Sequence, residues 1–593
     1  MSSRLSRRSF LKGTAAAAAL SRASGLAFTT TNLPSREVLQ EFGYADVKLT
    51  GGPLKQQYDR VHAHYLALDD DRLLKVYRER AGLPAPDKDM GGWYDLNGFV
   101  PGHSLGQYIS GLARIGASTG DSACHSKVEA LVQGFAATLG PDNQSILRPK
   151  TNLWICYTLD KHFIGLIDSL TLSNVPESKE LLNRVLAGSA SLLPAKGHDR
   201  IGKKDPPYDE TFVMPENLFT AYKLTSNSAF QDLALKYMLD HEYFDRLANG
   251  QDPLPGQHAY SHAIALSSAG KAYQIGGDEK YKRAMQNAFT LLTTQQQFAS
   301  GGWGPNETFV EPHKGQLYDS LSTTVDHFET PCGSYAATKL ARYLLRFTAD
   351  PRYGDNLERV VYNTILTVKP PDSDGDYPYY STYSPNGTKV FYPKKWPCCS
   401  GTLVQTVADY VLNIYFRSTD GIYVNLYAPS ELKWTQDNIA IKLTQTTGTS
   451  EDDPTSLQVE TPKPTTFAIY LRIPSWTSGA KIAINGKPLA TATEPKGFFA
   501  IKRTWHNNDR IELSLPQTFR TEAIDDLHPN TAALMRGPTM YVALNPKPGT
   551  ARQRLSPATL KQIASQAYIA NDTVFVPFNH VENEAYDTYF DIT

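Results

Sequence analysis

Cysteine is scarce in this chain, with five in 593 residues, at positions 124, 156, 332, 398 and 399. So sparse and odd a set excludes a disulfide framework of the kind that staples small exported domains. An excess of either charge is also missing. Lys and Arg number 59 against 60 Asp and Glu, a formal net charge of −1. That balance gives no electrostatic footprint for nucleic acid or an anionic bilayer as partner. Long apolar runs are lacking too. The run Gly13–Leu20 is well short of the ~20 residues a spanning helix needs, and no later run is longer and equally apolar. The mature chain is therefore expected to carry no membrane span.

Residues 5–12 read L-S-R-R-S-F-L-K, an arginine pair followed by Phe10, Leu11 and that short apolar run. Basic and apolar regions in this order form an export signal, and the paired arginines mark the twin-arginine route. Residues 1–29 are read as that signal, with cleavage among the small residues of 21–29. A periplasmic or extracellular location follows. Proteins using this route fold before export, so thiolates could take up a metal in the reducing cytosol.

The length implies two or three domains. From residue 30 to about 416, apolar side chains recur at three- and four-residue steps. Helices are expected near 105–115, 127–139, 181–193, 218–225, 281–297 and 333–347, with loops at 203–208 and 370–378. No fixed repeat is evident. Beyond 417 the period becomes two, as in 421–427, 439–444, 466–473, 481–484 and 510–515, and Asn485-Gly486 is a hairpin-turn pair. The chain is thus a multidomain α plus β protein, helical first, then one or two β-sandwiches. Tyrosines number 33 against 24 Phe and 7 Trp; a flat apolar face with a polar tip suits sugars, although a large exported protein can simply carry many tyrosines.

Chemistry concentrates in two segments. Cys398-Cys399 lies in K-K-W-P-C-C-S-G-T, in a loop ahead of a helical stretch from about 403. H-F-E-T-P-C-G-S-Y at 327–335 holds Glu329 and Cys332, three apart, a spacing that points both side chains one way in a helical turn. Proline is tolerated in a first turn, so Pro331 fits there. Thiolates and a carboxylate are zinc ligands in four-coordinate sites. The same residues read equally well as buried small apolar side chains, and spacing alone does not bring the two segments together.

These elements come in a recognisable order. G-H-S-L-G-Q-Y-I-S-G at 102–111, G-G-W-G-P-N-E-T-F at 301–309, E-T-P-C at 329–332 and C-C at 398–399 resemble the β-L-arabinofuranosidases of glycoside hydrolase family 127, once called domain of unknown function 1680. The likeness spans essentially the whole mature chain. It implies an (α/α)6 toroid catalytic domain over 30–416 and β-sandwich domains over 417–593. It further implies a retaining hydrolase that releases terminal β-L-arabinofuranosyl residues from plant-type glycans or glycoconjugates. On this resemblance Cys398 is the nucleophile, Glu307 the acid/base, and Glu329, Cys332, Cys398 and Cys399 hold Zn2+. His103, Glu216 and His258 fall where the family lines its sugar pocket, and Trp303, beside Gly301-Gly302, reads either as a sugar-stacking ring or as loop packing. Glu311 is the rival to Glu307, and Cys124 and Cys156 are read as structural. A homodimer is a compatible assembly.

A thiolate can attack an anomeric carbon and split one displacement into two. A carboxyl that first gives and then takes a proton completes a retaining cycle, and it should have a raised pKa to begin protonated. Two positions depart from the family pattern. Pro331 is inserted between Glu329 and Cys332, and Gln107 replaces a histidine expected to touch sugar. Three rival readings are the same machinery on another sugar, a uronate lyase, and a carbohydrate-binding protein with a structural zinc.

Overall fold

The computed structural model describes residues 36–144, 154–197, 209–448, 453–489, 497–547 and 552–593. The export signal and the loop at 203–208 lie outside them. Two short strands come first, β1 (Gln40–Glu41) and β2 (Val47–Leu49). Helices follow: α1 (Gly52–Leu66), α2 (Asp70–Ala81), α3 (Leu105–Thr119), α4 (Ser122–Ala137), α5 (Ile155–Leu172), α6 (Ser178–Ser189) and α7 (Pro215–Thr225). The helices that complete the ring are α8 (Ser228–Tyr237), α9 (Ala259–Gly276), α10 (Glu279–Leu291), α11 (Thr330–Thr348), α12 (Pro351–Asn363) and α13 (Cys398–Ala408), and short helices at Asp245–Ala248 and Gln316–Thr323 lie between them.

Helices α3, α5, α7, α9, α11 and α13 each pack on the next, and α13 closes the ring on α3. Helices α4, α6, α8, α10, α12 and α1 pair with them from outside, giving an (α/α)6 toroid. Sequence dictates which helix goes where. In α10 the buried residues are Tyr281, Ala284, Met285, Ala288 and Phe289, one stripe at helical spacing. In α3 every residue from Leu105 to Ile115 is buried, so it must be surrounded. Two inner backbones touch: a Cβ on Gly106 of α3 would lie 1.9 Å from the Lys161 carbonyl oxygen of α5. No helix among the described residues is long and apolar enough to cross a membrane.

Late residues of the inner helices close one end of the ring with buried ion pairs. Arg114 of α3 reaches Asp168 of α5 at 2.8 Å and Asp409, just after α13, at 2.9 Å. Arg342 of α11 reaches Asp409 at 2.8 Å. Against burial, the two guanidiniums hold the Asp409 carboxyl below its usual range.

Between the helices, β3 (Phe328–Glu329) and β4 (Tyr380–Ser381) pair antiparallel, with Glu329 opposite Tyr380. After the ring come β5 (Tyr415–Arg417), β6 (Gly421–Val424), β7 (Ser430–Gln436), β8 (Ile439–Thr446), β9 (Thr455–Glu460), β10 (Thr465–Ile473), β11 (Lys481–Ile484), β12 (Lys487–Pro488), β13 (Gly497–Trp505) and β14 (Asp509–Ser514). They form two sheets, ordered β1-β5-β6-β10-β13 and β12-β11-β14-β9-β8-β7-β2. Apolar residues of both sheets, among them Ile469, Leu471, Leu443 and Leu457, share one core, so the pair is a sandwich. Asn485 and Gly486 both take positive φ, 52° and 75°, the geometry of a two-residue hairpin.

One boundary expected from sequence is corrected. Strands β1 and β2 belong to the sandwich, since β1 pairs with β5 and β2 with β7. Strands of two or three residues carry no readable period. Residues 519–592 form a separate nine-stranded sheet. One part of it has its own small core around Leu534, Tyr541, Tyr568 and Phe590, and its Met535, Met540 and Val542 join the main core.

The toroid and the sandwich are tied by Arg472 of β10, which is fully buried. It pairs with Asp355 and, at 2.7 Å, with Glu358, both on α12, and donates to the Asn425 carbonyl. Removing one partner of a buried ion pair typically costs ~3–5 kcal/mol, because the other charge stays buried. Arg472→Met is expected to lose about that much, read by urea unfolding with circular dichroism. A loss under about 1 kcal/mol would contradict a tie of this strength.

Candidate active site

The open end of the toroid is where the inner helices begin. Their first residues, and the loops that enter them, supply Val100, Trp154, Glu210, His258, Glu329 and Cys398 to one cavity of about 450 Å3, a size suited to a small ligand. Helix N-termini present unpaired N–H groups and a partial positive charge, which favours anionic side chains there.

Glu329 caps α11, and Cys332 lies in its first turn with Pro331. The inserted proline is absorbed where a missing N–H costs nothing, and Cys332 still reaches the cluster. The Cys pair occupies the first two positions of α13, capped by Pro397. Sequence had left the pair in a preceding loop; in fact the helix starts at Cys398. Trp396 just before takes a left-handed φ of 52°, which turns the chain into the helix.

The four side chains converge. Cys398 Sγ is 3.3 Å from Glu329 Oε1 and 3.8 Å from Cys332 Sγ; Cys399 Sγ is 3.4 Å from Cys332 Sγ and 3.8 Å from Glu329 Oε1. All four ligand atoms lie within 4.8 Å of one another. A tetrahedron with metal–sulfur bonds of ~2.3 Å and a metal–oxygen bond of ~2.0 Å has edges of ~3.5–3.8 Å. The cluster has those dimensions and could hold a metal ion. Burial, reinforced by the neighbouring thiolate of Cys398, pushes the Glu329 carboxyl well up, and burial also raises Cys332 and Cys399. Burial works on Cys398 too, but hydrogen bonds from Cys332, Cys399 and the Tyr379 hydroxyl, the last at 3.5 Å, outweigh it and pull this thiol well down. Cys399 is wholly buried, whereas Cys398 keeps a 6% exposed edge on the cavity.

Glu307 lines the same cavity. It and Asn306 both have left-handed φ, 58° and 52°, a strained backbone of the kind that gathers at functional sites. The Asn306 N–H bonds the Asp326 carbonyl at 2.7 Å and holds the turn. Tyr380 donates its hydroxyl to Glu307 Oε1 at 2.6 Å. His258 sits between two carboxylates, Nδ1 3.0 Å from Glu210 Oε1 and Nε2 3.5 Å from Glu307 Oε2. The expected upward shift of Glu307 is corrected. Burial raises it, but the His258 cation and the Tyr380 hydroxyl prevail and lower it.

The structure brings Cys398, Glu307, Glu329, Cys332, Cys399 and His258 together and leaves three expected pocket residues elsewhere. Trp303 is 2% exposed and packs between Phe309 and Phe328, so it offers no face to the cavity. Glu216 is spent on Lys339, the Tyr343 hydroxyl at 2.9 Å and the Ser267 hydroxyl at 2.7 Å. Against burial, Lys339 holds its carboxyl at about 2. His103 is wholly buried behind Tyr157, with Nδ1 on the Val100 carbonyl at 2.7 Å, and burial lowers its pKa to about 4. Glu311 is exposed in a different concavity beside Gln316, which removes it as the rival acid.

Sequence reasoning missed Glu210, Tyr379, Tyr380 and the true place of Gln107. Gln107 faces away from the cavity and donates to Thr402 Oγ1 at 3.0 Å, and that hydroxyl is 3.1 Å from Cys332 Sγ. It buttresses the thiol cluster. The run Y-P-Y-Y-S at 377–381 was the available signal for the two tyrosines. A cleft of about 420 Å3 between the toroid and the sandwich, lined by Tyr427, Trp476 and His580, gathers no thiols.

Comparison with known proteins agrees with this geometry. The profile described as β-L-arabinofuranosidase, GH127 catalytic domain, matches residues 46–411, and that of the GH127 middle domain matches 421–517. No curated protein sequence matches the chain. A GH127 β-L-arabinofuranosidase from Geobacillus stearothermophilus T6 superposes with a TM-score of 0.69 at 18% identity, over 92% of this chain and 100% of that one. A second GH127 β-arabinofuranosidase gives 0.71 at 16% identity, over 94% and 98%. With its toroid, its thiol–carboxylate cluster and a profile match over most of its length, the chain belongs to glycoside hydrolase family 127, the β-L-arabinofuranosidase family, and is a glycoside hydrolase.

Proposed function

We propose that this protein is an exported retaining β-L-arabinofuranosidase that removes terminal residues from plant-type glycans, with Cys398 as nucleophile and Glu307 as acid/base. The observation that carries the reading is that the one cluster thiol with a depressed pKa and an edge on the cavity shares that cavity with Glu307. Zn2+, when held by Glu329, Cys332, Cys398 and Cys399, supplies the positive charge that keeps these thiols deprotonated at neutral pH. Everything else is done by side chains. Cys398 Sγ forms a bond to the anomeric carbon as the glycosidic C–O bond breaks, and Glu307 delivers a proton to the leaving oxygen. Glu307 then takes a proton from water, whose oxygen attacks the same carbon and releases the sulfur. Two inversions restore the configuration.

Before substrate enters, His258 keeps a proton at Nε2 beside Glu307 Oε2. Substrate excludes water from Glu307, which disfavours its charged form, and the proton passes across. A structural zinc in a non-catalytic protein would have no use for an exposed thiol edge or for a tyrosine-bridged carboxylate beside it. The twin-arginine segment at 5–12 supports folding and metal loading before export to the periplasm or beyond.

Three outcomes test this reading. Protein folded with zinc present should carry about one zinc per chain by elemental analysis, and Cys332→Ala together with Glu329→Ala should lose most of it; metal-free wild type would refute the site. Cys398→Ser should lower kcat/KM on a β-L-arabinofuranoside by at least ~10³-fold, with the circular-dichroism spectrum kept. Glu307→Gln should slow poor leaving groups ~10²–10⁴-fold and activated aryl glycosides far less. Azide should partly rescue the activated substrate and give a product of retained configuration; inverted products would end the cysteine-nucleophile reading.

The pH profile supplies a further check. Burial favours the protonated acid, and His258 more than offsets it, so Glu307 loses its proton early as pH rises. In the free enzyme the reaction's proton then rests on His258, so His258→Asn should move the alkaline limb of kcat/KM to lower pH, where the carboxyl alone must hold it. An unmoved or raised limb would show that His258 does not supply the Glu307 proton.

A further inference from the structure

The cavity is lined by carboxylates, an amide and Lys394 on the one hand and by a run of aromatic rings on the other. Trp93, Phe99, Trp154 and Tyr392 form that run. Trp93 and Phe99 meet edge to face at 4.7 Å between centroids, Phe99 and Trp154 at 5.7 Å, and Trp93 and Tyr392 at 5.8 Å. The run leads outward from the reacting thiol. Tyr379, whose hydroxyl touches Cys398 Sγ at 3.5 Å, is 6.3 Å from Trp93, and Phe99 lies one step further. At that outer position Phe99 leaves 52% of its surface in solvent.

An exposed phenylalanine alone means little. This one is presented by a loop built for the purpose. The Trp93 N–H bonds the Lys395 carbonyl at 3.0 Å, the Val100 N–H bonds the Trp93 carbonyl at 3.2 Å, and Asp95 Oδ1 accepts from the Gly91 N–H at 2.7 Å. Gly92 has φ +64°, and a Cβ there would lie 2.1 Å from the Lys395 carbonyl oxygen; one on Gly98 would lie 2.4 Å from that of Trp93. Only glycine lets the chain fold back so tightly, and the result holds an apolar ring at the cavity mouth where collapse would have hidden it.

We propose that Phe99, with Trp93 and Trp154 behind it, is the stacking platform for the leaving-group sugar, so that the scissile bond joins the cleaved residue to a pyranose ring. This rests on the hydrolase reading above and adds the class of aglycone. A pyranose offers a C–H face to the aromatic rings and hydroxyls at its edge to Glu307, Asp326 and Asn306, which line the same cavity. A purely apolar leaving group would strip water from those polar groups without replacing it. The rings lead outward from the thiol through Tyr379 and Trp93 to Phe99, so the next sugar along the glycan would meet them.

The test compares methyl β-L-arabinofuranoside with a disaccharide of β-L-arabinofuranose on galactopyranose. The ratio of kcat/KM for the disaccharide to that for the methyl glycoside should fall about five- to tenfold in Phe99→Ala and recover in Phe99→Tyr. A ratio unchanged within twofold, or one not restored by Tyr, overturns the platform. If wild type cleaves neither compound, the hydrolase reading has failed, and the platform is then judged by tryptophan fluorescence titrated with galactobiose. A saturable change in wild type that weakens at least fivefold in Phe99→Ala supports it; no change in wild type sinks it.

Discussion

Everything at the mouth of this toroid depends on a buried group of acids placed too close together to be ionised at once. Glu329, Cys332, Cys398 and Cys399 touch within a dry pocket, and like charges at 3–4 Å in a poor dielectric repel by several kcal/mol. Burial and the Cys398 charge push Glu329 up and burial raises Cys332 and Cys399, while hydrogen bonds from Cys332, Cys399 and Tyr379 pull Cys398 down. A divalent cation answers the same repulsion by replacing protons on the cluster. The strain is worth holding because it poises one sulfur, the one with an edge on the cavity, as the site's available anion.

The scaffold makes that placement affordable in geometry. Inner helices that all begin at one end aim their positive N-termini at the cluster, and their far ends are closed by Arg114, Asp168, Arg342 and Asp409. Polar groups are thus paired where the ring is sealed and reactive where it is open. The C-terminal sheet has a share in this. Tyr586 donates to the Thr382 carbonyl at 3.0 Å, Thr588 to the Tyr383 carbonyl at 3.0 Å, and Asp587 accepts from the Asn386 N–H at 2.7 Å. These bonds fix the segment that follows Tyr379 and Tyr380, the two hydroxyls that touch Cys398 and Glu307. A sheet distant in sequence thereby sets the reach of both reactive groups.

Much of this was legible in the sequence, and the exceptions share a cause. Helix 105–115 and strands 439–444 and 466–473 were readable because burial of one face imposes a period. The cluster was readable because thiols are rare enough for their order along the chain to matter. Trp303 and Glu216 were misplaced because sequence does not say which way a side chain faces: one turned into a pocket of phenylalanines, the other was claimed by Lys339. Glu210 and Tyr380 went unseen because their importance comes only from touching His258 and Glu307, through contacts spanning 48 and 73 positions. Gln107 was read as a lost sugar contact, yet it supports Thr402 against Cys332 from the far side of the helix.

In the proposed reaction, the proton on Glu307 is the point at which these features act together. Two carboxylates compete for His258, and it sits nearer to Glu210, at 3.0 Å against 3.5 Å for Glu307. Glu210 is already dry at 1% exposure, so substrate changes its surroundings little. Glu307 is still 28% exposed at its side chain and loses that water when the cavity fills. Desolvation then raises the proton affinity of Glu307 alone, while Glu210 keeps the imidazole oriented by its other nitrogen. In the proposed reaction the same filling would bring the anomeric carbon to Cys398, whose negative charge further disfavours an ionised Glu307. Arrival of substrate would therefore arm Glu307 as the acid at the moment Cys398 gains its target.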